Sequence, residues 1–152
     1  MFRLIAVLAL TVATNAFPND GSDRLCTKSE AMQAEKEVDS LKNWSDIYRS
    51  YRKFSQCDDG AIAEGFSDAV GKLLSNHWGQ LGRLITLAKT NRNFERFVVK
   101  HIDESLSRDT LQRISNNARS SCPAGGQRLC GLIASAASDK LTSAGSNSRQ
   151  YR

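Results

Sequence analysis

This sequence has no CxxC pair, no HExxH, no GxSxG, no GxGxxG and no phosphate-binding loop. Those gaps remove the motif-borne forms of zinc, serine-hydrolase and nucleotide chemistry. It holds only two histidines, His77 and His101, and neither lies near a cysteine. No stretch alternates apolar and polar residues as a half-buried strand would, and no internal repeat recurs. Beyond the N-terminus, no apolar run reaches the roughly 20 residues that a membrane-spanning helix needs. Helical patterning remains.

The N-terminus has the form of an export signal. Met1-Phe2-Arg3 supplies a positive start, residues 4–13 are apolar, and Thr14-Asn15-Ala16 places small residues at the −3 and −1 positions. Cleavage is expected after Ala16, which leaves residues 17–152 as a periplasmic or secreted chain. Cys26 follows Asp23-Arg24-Leu25, which is not a lipid-attachment setting.

Four cysteines remain: Cys26, Cys57, Cys122 and Cys130. An even count in an exported chain predicts two disulfides, for which three connectivities are possible. If the first two helices form an antiparallel hairpin, Cys26 before the first lies beside Cys57 after the second. Cys122 and Cys130 would then close the loop that opens the last helix.

The net charge of +5 is unevenly placed, and residues 17–138 carry only +2. A specific nucleic-acid binder concentrates far more charge on one face, so the composition argues against that class. Tyr48-Arg49-Ser50-Tyr51-Arg52-Lys53-Phe54 interleaves rings and cations as single-strand binders do, but core rings with solvated cations are the reading expected here.

Residues 17–28 form a polar lead-in, residues 29–141 a single all-α domain of six to seven helices, and residues 142–152 a disordered tail. The first helix is expected over 29–42, with Met32, Ala34, Val38 and Leu41 inward. Asn43-Trp44 should break it, and Ser45 should cap a second helix over 46–55. Ile62, Phe66, Ala69, Val70, Leu73 and Leu74 mark the core face of a third helix over 59–77. A fourth near 80–90 carries Leu81, Leu84, Ile85 and Ala88. Phe94, Phe97, Val98, His101 and Ile102 form a fifth face. Ser107 caps a sixth helix with Leu111, Ile114 and Ala118, and a seventh turns Leu129, Leu132, Ile133, Ala136 and Ala137 inward.

The stretch QCDDGAIAEGF, residues 56–66, holds the densest chemistry. Asp58 or Asp59 can cap the third helix, while Ala61, Gly65 and Ala69 make a smooth strip for a close neighbour. Glu64 and Asp68, spaced i, i+4, could instead form a glycosidase-like pair with Asp58 or Asp59, or hold a hard cation. The EF-hand pattern is absent, and no metal or other cofactor is expected. His101 shares an apolar face with Phe97 and Val98, as a hydrogen-bonded core histidine does. Arg92, Arg96 and Lys100 form a basic stripe against the acidic third helix, a polarity that favours steered protein partners. Asn43-Trp44-Ser45 is a glycosylation sequon.

The segment CDDGAIAEGFSDAV and the Cys122-Pro123 to Cys130 element resemble a group of small secreted proteobacterial proteins without established activity. Cys57 followed by Gly60, Gly65 and Asp68-Ala69 is similar to the type VI secretion amidase-immunity family. That resemblance implies a periplasmic helical protein that plugs the active site of a toxin. The leading expectation is a noncatalytic protein-binding domain, an inhibitor or immunity factor. It would contact a toxin or envelope enzyme through Asp58, Asp59, Glu64, Gly65 and Asp68. A small envelope hydrolase and a structural factor without a specific ligand are the alternatives.

Overall fold

A computed structural model describes residues 24–147 of the chain. The expected signal segment, its expected cleavage site at Ala16 and residues 148–152 lie outside the described residues. Among the described residues there are seven α-helices and no strand: α1 Lys28–Val38, α2 Trp44–Phe54, α3 Gly60–Asn76, α4 Leu81–Thr90, α5 Arg92–Lys100, α6 Arg108–Ser120 and α7 Gln127–Asn147. Short 3₁₀ turns, Ser55–Cys57 and Trp78–Gln80, connect α2 to α3 and α3 to α4.

Local sequence explains most of the helix starts. Thr27 and Glu30 form a reciprocal capping box at α1. Asn91 caps α5 and Ser107 caps α6, each accepting a backbone N–H from the first turn. Asp59 caps α3, and Gly60 enters that helix at φ 51°, a left-handed conformation that glycine adopts without a Cβ penalty.

The boundaries between α1 and α2 differ from expectation. Helix α1 stops at Val38 rather than residue 42, because the Ser40 hydroxyl and N–H both turn back to the Glu37 carbonyl. Asn43, not Ser45, caps α2; its Oδ1 accepts from the Ser45 and Asp46 N–H groups at 3.0 Å each. Trp44 is therefore no breaker. It begins the helix and is buried in the core, while the Ser45 hydroxyl accepts from Arg83 of α4. The sequon amide of Asn43 is likewise engaged, donating to Asp46 at 2.7 Å.

The core gathers the predicted faces of all seven helices. Every residue expected inward on α3, α4, α5 and α6 is buried, together with His101 and Ile102 just past α5. Tyr51, Phe66, Phe94 and Phe97 make a cluster of tilted and edge-on rings, with Tyr48 at its margin. The alternating rings and cations of α2 are thus core and surface, not a base-stacking platform. Met32 and Leu132 were expected inward but are exposed, since the α1 and α7 stripes are narrower than the sequence pattern. Helix α7 continues to Asn147, past the expected boundary at residue 141, with the Thr142 and Ser143 hydroxyls donating to carbonyls four residues back.

Both disulfides have the expected pairing. Cys26–Cys57 ties the approach to α1 to the end of α2, with Cα atoms 4.9 Å apart. Cys122–Cys130 fastens the loop after α6 to the first turns of α7. No helix among the described residues is long and apolar enough to cross a membrane.

Gly65 lets α3 lie against α1. A Cβ there would fall 2.8 Å from the Val38 Cβ, closer than real side chains approach. The close neighbour of the small-residue strip is therefore this chain's own helix. Gly65→Leu is expected to lower stability by roughly 1–3 kcal/mol through overpacking. A urea melt that shows unchanged or raised stability would contradict this packing.

Candidate functional site

The carboxylates of the 56–68 stretch separate into three settings. Asp59 is exposed and its Oδ1 accepts from the Gly60 N–H at 2.8 Å, a capping role. Glu64 and Asp68 project from the exposed edge of α3. Asp58, by contrast, is turned inward and keeps only 9% of its side-chain surface. Asp58 therefore faces inward, while Asp59, Glu64 and Asp68 face solvent.

Asp58, next to Cys57 of the Cys26–Cys57 bridge, belongs to a polar chain that links this segment, α3 and the α5–α6 connection. Its Oδ2 accepts from Lys100 Nζ at 2.8 Å. Its Oδ1 faces His101 Nε2 at 3.2 Å, in ion-pair contact but off the line of a hydrogen bond. On the other side of the ring, His101 Nδ1 lies 3.0 Å from Ser67 Oγ, and that hydroxyl donates to Asp103 Oδ2 at 2.7 Å. Serine has one proton, so once Asp103 receives it, Nδ1 is the donor to the serine oxygen. The two ring nitrogens thus face oxygens of Ser67 and Asp58 on opposite sides of the ring. The rings of Phe97 and Phe66 enclose the histidine at 4.3 and 5.7 Å between centroids.

Serine, histidine and aspartate together evoke a hydrolytic triad, but the geometry performs a different task. In a triad the serine hydroxyl hands its proton to the ring and stands open to substrate. Here Ser67 donates to a carboxylate, and Ser67 and His101 are each only 1% exposed. A substrate in solvent has no approach to the hydroxyl. The chain instead holds the α5–α6 connection against α3.

Electrostatics follow from this. Burial pushes the Asp58 carboxyl up, but the His101 and Lys100 contacts more than offset it and hold it below the usual range. Burial likewise raises Asp103, while hydrogen bonds from Ser105 and Ser67 bring it below its ordinary value. A depressed carboxylate contributes stability that is present above the unfolded value, about 3.9, and is lost as pH falls through the folded one. Stability should therefore fall progressively below about pH 4. Denaturant midpoints taken from pH 7 downward should show a shallower acid loss in Asp103→Asn. An identical acid slope would refute this assignment.

An open groove of about 520 Å³ lies between the exposed edge of α3 and the segment leading into α6. Its walls carry Glu64, Asp68, Asn76, Ser105 and Thr110, and Leu106 packs over Gly71 at its base. A Cβ on Gly71 would stand 2.6 Å from Leu106 Cδ2, so glycine permits this contact. Asp68 pairs with Lys72 at 2.6 Å. Glu64 has no cation within ion-pair distance among the described residues. The groove therefore has one uncompensated carboxylate among hydroxyl and amide groups.

The other candidates are placed as follows. His77 is exposed at the end of α3, its backbone N–H donating to the Leu73 carbonyl. The basic stripe of α5 is largely engaged: Arg92 with Glu95, Arg96 with Asn93 and Lys100 with Asp58. The acidic and basic faces thus meet at Asp58–Lys100 rather than standing apart. No group of His, Cys, Asp or Glu among the described residues is arranged to hold a metal ion.

Ser67, Asp103 and Glu95 were not singled out from the sequence. Ser67 shares the α3 face of Val70, Gly71 and Leu74, and Glu95 shares the α5 face of Val98. A polar residue on an otherwise apolar face was the available signal. Family models, curated proteins and solved structures yield no match to this chain.

Proposed function

We propose that the protein is a noncatalytic, exported binding domain whose groove beside α3 receives a basic side chain of another protein. The observation that supports this reading is the uncompensated Glu64 carboxylate in an open groove walled by packed helices. A carboxylate without an ion-pair partner can accept a charge-assisted hydrogen bond, and a planar guanidinium fits such a group best. Two disulfides and the form of the N-terminus favour the periplasm or the medium as its location. The likeness of Cys57, Gly60, Gly65 and Asp68-Ala69 to amidase-immunity proteins favours an inhibitor of a secreted toxin or an envelope enzyme.

The hydrolase alternative has one supporting observation, namely that Glu64 and Asp68 line the same groove. Lys72 already occupies Asp68, which leaves a single free carboxylate rather than an acid–base pair. Peptidoglycan turnover by the purified protein separates the readings. We expect none above buffer. Turnover that disappears in Glu64→Gln would replace the binding reading with the enzymatic one.

A further inference from the structure

A second, smaller cavity of about 100 Å³ opens where α4, α5 and the start of α7 converge. Its lining includes three cations, Lys89, Arg92 and Arg128, and one carboxylate, Glu95. Glu95 is 5% exposed and is bound by both arginines: Arg92 Nη1 lies 3.2 Å from Oε2, and Arg128 Nη2 contacts the same oxygen. One arginine would suffice to neutralise a buried glutamate. The second leaves a surplus.

Lys89 adds to it. No carboxylate lies within ion-pair distance of its ammonium among the described residues. The ammonium reaches across to the Cys122–Cys130 loop, where a Cβ on Gly125 would sit 3.6 Å from Nζ. Gly125 has φ 75°, so the loop takes this turn at low cost with glycine there. The disulfide and the buried glutamate together fix the positions of the loop and of both guanidinium groups. Each guanidinium has five N–H donors in a planar fork, and Glu95 uses only part of them.

We propose that this cavity binds a dianionic phosphate group between Lys89, Arg92 and Arg128. Three cations against one carboxylate leave a local charge of +2, which a phosphate monoester neutralises and a single carboxylate does not. Glu95 acts as a positioning residue that aims the two guanidinium groups. The phosphate could be free in solution or displayed on a lipid headgroup. The site is separate from the groove beside α3 and does not depend on the binding function proposed for it.

The test uses the full mature chain, titrated with inorganic phosphate at constant ionic strength set with sodium chloride. The melting temperature should rise saturably, and NMR shifts should change first in the Gly125, Gly126 and Arg128 amides. Lys89→Gln removes an exposed charge without an ion-pair partner and should leave the phosphate-free melt unchanged. It should weaken phosphate binding by about tenfold, in line with the loss of one charge-assisted bond. Arg92→Gln should also weaken it while Arg128 keeps Glu95 partnered. Flotation with phosphatidylcholine vesicles containing phosphatidic acid distinguishes a lipid source, since only that source gives vesicle capture that depends on Lys89. A linear, unsaturable response, or equal affinity in Lys89→Gln and wild type, would overturn the proposal.

Discussion

Asp58→Ala should lower stability by about 2–3 kcal/mol, the upper part of what leaving a buried polar group without its partner costs. Lys100 is exposed and regains water, but His101 stays buried, with Nε2 facing an apolar methyl in place of a carboxylate. The effect should come from the orphaned imidazole and not from the helix cap, because Asp59 retains that role. A double variant separates the causes. Replacing both partners with apolar residues, as in Asp58→Leu with His101→Phe, should recover much of the loss. A single-variant loss below about 1 kcal/mol in urea would mean that the buried chain contributes little.

Removing the Cys26–Cys57 bridge by a double alanine substitution should cost about 3–4 kcal/mol on the chain-entropy account. The bridge closes a sequence separation of 31, against 8 for Cys122–Cys130, whose removal should cost about 2–3 kcal/mol. Cys57 also precedes Asp58, so loss of the bridge loosens the approach to the buried chain. Guanidinium melts of the two double variants give the ordering directly. A larger loss from the short bridge would show that native packing held by the α6–α7 loop, and not chain entropy, dominates.

The helices and their inward faces were legible because α3 to α6 repeat apolar residues at helical spacing, with a recognisable cap before α3 and α6. The ends of α1 and α2 were less so. Ser40 and Asn43 compete for backbone groups within five residues, and either Asn43 or Ser45 satisfies the local rule for a cap. Leu132 illustrates a further limit. Periodicity marks a face, but how wide a stripe is covered depends on where neighbouring helices lie.

The site was partly legible for a similar reason. The stretch 56–68 held the right carboxylates, yet their roles depend on a half-turn of rotation that spacing alone does not fix. Asp58 and Asp59 are adjacent, and one enters the core while the other caps a helix in solvent. Lys100 and His101, the partners of Asp58, lie more than 40 residues away in the chain, and Ser67 carried no motif. The groove depends on Leu106 meeting Gly71, a tertiary contact between segments that show no mutual pattern in sequence.

The most direct test of the proposed binding function is the affinity of the protein for a purified envelope partner, compared between wild type and Glu64→Lys. The substitution is on the surface, so the melt should stay within about 0.5 kcal/mol of wild type. Reversing the one uncompensated charge of the groove should weaken binding by at least a hundredfold, the scale of a lost charge-assisted contact plus repulsion. Equal affinity in the two proteins, with the fold intact in both, would contradict the assignment of the groove as the binding surface.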